Sequence, residues 1–244
     1  FHVRPDERIE IGAQVARAFR APRLEELFSD APHLGAGAYE IGNPHLKDEV
    51  AHGIDVYAIA RGPAYRVELA AFASQIADFI IYMPAGRIHE GSRLPVFVYE
   101  AADARLIGGE VAIDFRLMRN VSSQVVLDYV HGTRLSDSRT PLPFMPPLRG
   151  NFGLTYQAGS WRLGPTVRAV SRQGRVPTGE EPTAGYVLIG ADVYYRLTAN
   201  GVHSIGVRAD NLTNRLYRDH LSRVEERDAP MPGRNLNLTY RWIF

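Results

Sequence analysis

The chain has 244 residues, of which 45% are hydrophobic, 10% aromatic and 23% charged, with 22 Gly, 16 Pro and no Cys. The missing Cys excludes disulfides, thiolate metal sites and a Cys nucleophile, and a formal net charge of +1 argues against a basic nucleic-acid binder, so no nucleic-acid partner is expected. No run of 18 apolar residues exists, which removes membrane-spanning helices but not spanning strands, whose signal is alternation. The composition is near the globular average, so disorder and collagen-like repeats are also excluded. The charged run Arg4-Pro5-Asp6-Glu7-Arg8 sits where the apolar core of a signal peptide would lie. With Phe rather than Met at position 1, the sequence is expected to start inside a longer one.

Taken in chain order, the hydropathy pattern has a period of two. Arg8–Arg17 and Asp48–Arg61 alternate with modest contrast. After Tyr65, the set Val67, Leu69 and Ala71 alternates with Arg66 and Glu68. Ile107, Val111, Ile113, Phe115 and Leu117 alternate with Glu110, Asp114 and Arg116. Val121–Thr133, Leu148–Gln157 and Trp161–Arg172 read similarly. Val187, Ile189, Ala191, Val193, Tyr195 and Leu197 alternate with Asp192 and Arg196, and Ile205, Val207 and Ala209 with Ser204, Arg208 and Asp210. The clearest segment is Gly233–Phe244, where Leu236, Leu238, Tyr240, Trp242 and Phe244 share one face and Asn235, Asn237, Thr239 and Arg241 the other. Such alternation predicts about ten strands with one apolar and one polar side. Many are longer than the usual globular strand of about five or six residues.

The links between these strands alternate in length. Short ones fall at Gly62-Pro63-Ala64, Arg119-Asn120, Ala158-Gly159-Ser160 and Thr198-Ala199-Asn200-Gly201. Long ones fall at 20–47, 83–95, 134–147, 173–184 and 214–232. Every long link at one end is the pattern of an antiparallel up-and-down transmembrane β-barrel with tight periplasmic turns and large extracellular loops. A soluble sandwich is the alternative, with the apolar face turned inward. Strand length and loop asymmetry favour the membrane, where the apolar face meets lipid and Glu68, Glu110, Asp114, Arg116, Asp192, Arg196, Arg208, Asp210 and Arg241 line the lumen. Tyr65, Trp161, Trp242 and Phe244, near strand ends, would form an interfacial girdle.

Several runs resemble a known family. Ala16-Arg17-Ala18-Phe19-Arg20-Ala21-Pro22-Arg23-Leu24-Glu25-Glu26-Leu27-Phe28 is similar to a loop signature of TonB-dependent outer-membrane receptors. Gly42-Asn43-Pro44-His45-Leu46-Lys47-Asp48-Glu49 resembles the start of that family's next strand. Ala104-Arg105-Leu106-Ile107-Gly108-Gly109-Glu110 resembles the entry into another long strand. Asp210-Asn211-Leu212-Thr213-Asn214-Arg215-Leu216-Tyr217 and Pro232-Gly233-Arg234-Asn235 resemble the final hairpin. Tyr240, Trp242 and the terminal Phe244 resemble the signal read by the barrel-assembly machinery. The resemblance covers almost the whole of residues 1–244, taken as one barrel domain. It implies the C-terminal portion of a barrel of about 22 strands, with no match to the plug, to the TonB-contacting segment or to the earlier strands. It also implies a bacterial outer-membrane location, lipid contact, missing barrel strands and plug as partners, and the TonB complex acting through that plug. An open edge in hydrocarbon leaves unpaired N–H and C=O groups, so the first and last strands are expected to pair with the missing half; closure into a smaller barrel is the alternative.

Candidate chemistry lies in the long links. The link 20–47 holds Glu25, Glu26, Asp30, His33, Glu40 and His45; imidazole with carboxylate suits zinc and similar metals, so Asp30, His33 and His45 are metal candidates. Ala31-Pro32-His33-Leu34-Gly35 with Tyr39-Glu40-Ile41-Gly42-Asn43 is similar to the branch of these receptors that takes up zinc or haem, and Asp228-Ala229-Pro230-Met231-Pro232-Gly233-Arg234-Asn235 points the same way. His89 with Glu90, His131 and His220 lie on or near other loops and are ligand-binding candidates with Glu40. The plainer reading is that His and Glu in loops are solvated. Arg17 and Arg20 could take an anionic siderophore through bidentate guanidinium contacts, or pair with a lumen carboxylate such as Asp55 or Glu110. His52 and His203 read as structural, Glu225, Glu226, Arg227 and Asp228 as a solvated loop, and Gly108-Gly109 as a bulge or close approach.

No Gly-x-Ser-x-Gly elbow or His-Glu-x-x-His helix is present, so no enzyme is expected. The function that the resemblance implies is part of a TonB-coupled receptor importing a scarce metal or metal complex: zinc, haem, a ferric siderophore or cobalamin. No resident cofactor is required. A passive porin or structural barrel is the first alternative. A barrel hydrolase, which needs a Ser or carboxylate within reach of a His, is the second.

Overall fold

A computed structural model describes residues 1–135, 139–198, 202–222 and 230–243. Its elements are β1 (His2–Val3), β2 (Ile9–Arg20), helix α1 (Leu24–Phe28), β3 (Asp30–His33), a 3-10 turn (Leu34–Ala36), β4 (Ala38–Ile41), β5 (Glu49–Arg61), β6 (Tyr65–Ile88) and β7 (Pro95–Met118). These are followed by β8 (Val121–Arg134), β9 (Arg149–Ala158), β10 (Trp161–Val170), β11 (Tyr186–Arg196), β12 (His203–Asp210) and β13 (Asn235–Trp242). The path through the sheet is β1-β2-β5-β6-β7-β8-β9-β10-β11-β12-β13, antiparallel at each step along it. Sequence neighbours are sheet neighbours, as an up-and-down arrangement demands. The ten long strands are those of the period-two pattern. β1, β3 and β4 are short additions.

Register aligns the apolar positions into one face. One cross-strand row runs Val67, Ile113, Val125, Phe152, Val167, Ile189 across six strands. The row beside it runs Arg66, Asp114, Gln124, Gly153, Thr166, Gly190, with Gln124 Nε2 donating to Asp114 Oδ1 at 3.0 Å. A one-residue slip of any strand would exchange the two rows, so the polarity pattern itself fixes the pairing. Glu68, Glu110, Asp114, Arg116, Asp192, Arg196, Arg208, Asp210 and Arg241 all fall on the polar face.

The apolar face packs against nothing in the described residues. Val15 is 81% exposed and Leu238 72%. The buried apolar cluster is small: Ile81, Ala104 and Leu142, with Phe79, Met83, Ala102, Leu106 and Met145 against it. It sits toward the end of the long connections, not under the sheet. A soluble sandwich would bury the long apolar rows, so that alternative fails, and the face suits hydrocarbon. No helix among the described residues is long and apolar enough to cross a membrane.

Two stretches depart from the sequence reading. The link expected at 83–95 is mostly strand, because β6 runs to Ile88 and β7 begins at Pro95, leaving a turn at 89–94. The register shift between Ile76 and Phe79 inserts one extra residue in β6 and reverses its alternation, and the shift between Pro84 and Ile88 inserts two more without a further reversal. The link 20–47 is likewise folded: it holds α1 and the β3–β4 hairpin, and β4 pairs parallel with β7 through Tyr39–Val96, Glu40–Phe97 and Ile41–Val98. Gly108 lies beneath the Phe72 ring of the neighbouring strand, in contact with it where a Cβ would stand, so it marks close approach and not a bulge.

An arginine at Val111, about midway along the apolar face of β7, is expected to destabilise the folded protein by about 2–4 kcal/mol if that face meets hydrocarbon. Glu110→Gln, on the opposite face, should change stability by less than about 1 kcal/mol. Denaturant midpoints of the full-length protein in bilayers measure both.

Candidate functional site

The long connections do not splay apart. They meet at one end of the sheet around a cleft of about 440 Å³. The β3–β4 connection contributes Ala36 and Gly37, and the raised β6–β7 hairpin contributes Tyr82, Met83, Pro84 and Phe97. The β8–β9 connection adds Pro143 and Phe144, the β10–β11 connection Pro177–Glu181 and Thr183, and the β12–β13 connection Asp219, His220 and Ser222. Prolines and aromatics form one part of its wall and a polar arc from Thr178 to Thr183 and from Arg218 to Ser222 the other, a mixture that a small-molecule site can use.

The polar groups tie loops to one another. Thr183 Oγ1 lies 3.1 Å from His220 Nδ1, and His220 Nε2 lies 2.8 Å from Glu180 Oε1, off a hydrogen-bonding line. The Glu180 carboxylate accepts the Phe144 N–H at 3.0 and 3.2 Å. Tyr186, which opens β11, donates from its hydroxyl to Asp219 Oδ2 at 3.0 Å and packs its ring 4.4 Å from that of Tyr217. Arg168 on β10 lies 3.6 Å from the same Asp219 oxygen. A group at His220 therefore joins three connections, and the imidazole is buried where loop solvation was the plainer expectation.

Glu40 is the second joint. Its carboxylate is buried and lies 2.8 Å from His33 Nδ1; it accepts the Tyr82 hydroxyl at 3.0 Å and the Tyr99 hydroxyl at 3.2 Å. Tyr82 stacks on Phe97 at 4.6 Å, and Tyr39 on the His89 ring at 3.6 Å. These contacts dock the β3–β4 hairpin on the raised β6–β7 hairpin. The Tyr39 hydroxyl donates to Asp30 Oδ1 at 3.0 Å, and that carboxylate, with burial second, pushes the phenol above its ordinary pKa.

The sequence candidates separate accordingly. In the β3–β4 hairpin Asp30 pairs with Ile41 and His33 with Ala38, so Asp30 and His33 sit on opposite faces. His45 lies in the next turn, its N–H bound to Asn43 Oδ1 at 3.0 Å. The structure does not bring Asp30, His33 and His45 together, and no group of three His, Asp or Glu side chains set for an ion exists among the described residues. Arg17 does not meet a lumen carboxylate: it faces outward opposite His52, whereas Asp55 and Glu110 lie on the other face. Arg20 does face inward and is fully engaged. Its guanidinium donates twice to Glu49, at 2.8 Å each, and twice to Glu26, at 2.9 and 3.1 Å. His131 faces outward beside Tyr129, whose hydroxyl is 3.2 Å from Nδ1.

His89 makes the one rim Ser–His contact of that turn, Nδ1 to Ser92 Oγ at 3.0 Å, but the same nitrogen accepts the Ser92 N–H at 3.1 Å. That is a turn closure, not an activated nucleophile. His203 is structural: its Nδ1 is 2.6 Å from the Tyr240 hydroxyl and its ring stacks on Trp242 at 6.0 Å. Phe244 and the 225–228 charge run lie outside the described residues. Sequence reasoning missed Tyr82, Phe97, Phe144, Glu180 and Thr183. The only signal for them was the clustering of prolines at 141–147 and 177–182.

A family model described as TonB dependent receptor-like, beta-barrel matches residues 3–212. Solved structures similar to the chain include the copper transporter OprC, at 25% identity and a TM-score of 0.83, covering 96% of this chain and 37% of that one. The FrpB iron transporter from Neisseria meningitidis is similar at 15% identity and a TM-score of 0.72, covering 97% and 37%. A mutant of the ferric enterobactin receptor PfeA from Pseudomonas aeruginosa, in complex with enterobactin, is similar at 21% identity and a TM-score of 0.69, covering 96% and 38%. The chain thus spans a little over a third of the length of these proteins.

Arg20→Gln removes both arms of the clamp on Glu26 and Glu49, each arm a charge-assisted pair. Amide exchange across residues 24–41 of the full-length receptor is expected to speed up by about tenfold or more, as local opening becomes easier by about 1.5–3 kcal/mol. Exchange in β8–β10 should stay unchanged.

Proposed function

This chain belongs to the TonB-dependent receptor β-barrel family, and from that premise we propose that it is part of an outer-membrane receptor that captures a metal complex and imports it with TonB-coupled energy. The observation that carries the reading is the convergence of five connections, far apart in sequence, on one cleft at the same end of the sheet. A passive pore needs no such convergence. Barrels of this family lie in the outer membrane, and an apolar strand face with aromatic residues at the tight-turn end suits that location. Lipid, the remaining strands, a plug and the TonB complex are its partners in this reading.

The cargo is a metal complex and not a bare ion. The larger part of the cleft surface is apolar, its polar groups tie the loops to one another, and no three His, Asp or Glu side chains are set for an ion among the described residues. A haem or a ferric siderophore offers the area such a wall can bury, and zinc or copper would arrive within a chelate. The likeness to a copper transporter and to iron and ferric enterobactin receptors supports the metal class and goes no further. Inside the cleft the chain's own residues position and desolvate the cargo. Tyr82, Phe97 and Phe144 supply stacking surface, while the Glu40 and His220 joints hold the loops that carry them.

Isothermal titration of the full-length receptor with haemin, a ferric catecholate, a ferric hydroxamate, Zn(II) and Cu(II) tests this. One metal complex should bind, and Phe97→Ala and His220→Ala should each weaken it by about tenfold or more, or about 1.4 kcal/mol. Binding of the bare ions alone, or affinity unmoved by both substitutions, overturns the reading.

A further inference from the structure

Among the described residues, the outward face of the ten long strands carries two formally charged side chains between the tight turns and the bulge after Ile76. They are Arg17 and Arg105. Both fall in one cross-strand row, Arg17, His52, Gln75, Arg105, Thr133, spanning β2, β5, β6, β7 and β8. Every member is polar, whereas the rows toward the tight turns on these five strands are apolar apart from His131 and Ser123 on β8. Chance scatter of two arginines over ten strands has no reason to leave polar residues filling the positions between them.

The depth of the row is informative. Tyr65 pairs with Phe115 near the tight turns, and Gln75 and Arg105 lie ten residues further along their strands. Ten residues rise about 33 Å along a strand, or about 25 Å along the membrane normal at a tilt of about 40–45°. That is the height of the apolar band of an outer-membrane barrel, so the row stands at the outer-leaflet headgroup level.

None of Arg17, His52, Gln75 and Arg105 has a side-chain hydrogen bond or ion pair within the described residues. Gly53 and Ala73 are small, and a recess of about 300 Å³ opens beside them, walled by His52, Gln75 and Arg105. At the far end Arg175 reaches over β8, donating to the Gly132 carbonyl at 2.6 Å and to Thr133 Oγ1 at 2.9 Å. It lies with Arg105 in electrostatic reach of His131. Asp103, two residues beyond Arg105, accepts the Asp78 N–H on Oδ1 at 3.2 Å.

We propose that this row binds the phosphorylated headgroup of an anionic glycolipid of the outer leaflet, with acyl chains lying on the apolar face below. Three strand spacings separate Arg17 from Arg105, about 14 Å. That span suits a headgroup bearing two phosphates, one at each guanidinium, with His52 and Gln75 donating to the sugar between them. The long arginine stems lie on apolar surface while their heads reach the headgroup layer.

Native mass spectrometry of the full-length receptor in detergent, titrated with bisphosphorylated lipid A, its dephosphorylated counterpart and inorganic phosphate, tests the assignment. The bisphosphorylated lipid should bind at least about tenfold tighter than the dephosphorylated one. Arg17→Gln with Arg105→Gln should remove that preference, and Arg17→Lys with Arg105→Lys should retain most of it. Wild-type protein that does not discriminate between the two lipids, glutamine variants that still do, or inorganic phosphate that displaces the lipid at equal concentration overturns the proposal. Where the glutamine variant does not assemble, the wild-type preference and the phosphate competition decide it alone.

Discussion

Backbone hydrogen bonding without water is the constraint on which this structure rests. In hydrocarbon an unmet N–H or C=O costs several kcal/mol, so a chain that crosses as strands must pair each strand on both sides. From β5 to β12 each strand has an antiparallel neighbour on both sides, whereas β1 covers β2 at only two residue pairs. The condition is not met at β1 and β13, the two ends of a path that does not close among the described residues. The apolar face is extensive and suits hydrocarbon, while both ends of the strand path are open edges among the described residues. A similarity that covers over nine-tenths of this chain and only 37–38% of its structural relatives fits those open edges.

Much of the fold was legible because alternation is read against a single binary question. Where large apolar and charged residues alternate, as in β7 and β13, the face of each residue follows from its parity. Legibility fails where parity loses its contrast or its phase. In β2 the inward positions include Gly12, Ala16 and Ala18 and the outward ones Ala13, so Arg17 could be placed on either side. In β6 the bulge after Ile76 turns Phe79, Ile81 and Met83 to one face and Ile80 and Tyr82 to the other, and the stretch reads as loop.

The site was less legible, for a different reason. The runs that marked the family are joints, each local enough to leave a sequence trace. Arg20, Glu26 and Glu49 clamp a strand end to a helix and to the next strand. Gly42 passes so close to the α1 backbone that a Cβ would stand 2.6 Å from Phe28 N. Asn211 binds Arg215 through both its amide oxygen and nitrogen, with φ at +50°, a conformation Asn tolerates better than most side chains. The cleft, by contrast, is built from residues scattered between Ala36 and Ser222 whose only shared property is the end of the sheet they occupy. His33 and Asp30, three apart, looked like partners in sequence but an extended hairpin sends them to opposite faces. His220 and Glu180, forty apart, looked unrelated and touch.

The same backbone constraint explains why the raised part of the sheet looks unlike the rest. β6 and β7 run 24 residues each, about 80 Å of strand, of which a tilted apolar band accounts for less than half. Above the band, β5 and β8 have ended and both outer edges of the hairpin lose their partners. The chain covers them piece by piece. Glu49 accepts the Ile80 N–H at 2.8 Å, and Asp103 that of Asp78. β4 takes the β7 edge from Val96 to Val98. The strip 140–142 folds back on β8, with the Arg134 N–H on the Thr140 carbonyl at 2.8 Å. The β4 pairing and the 140–142 strip draw two of the connections in beside the raised hairpin, so satisfying strand edges also helps to gather the connections into a cleft.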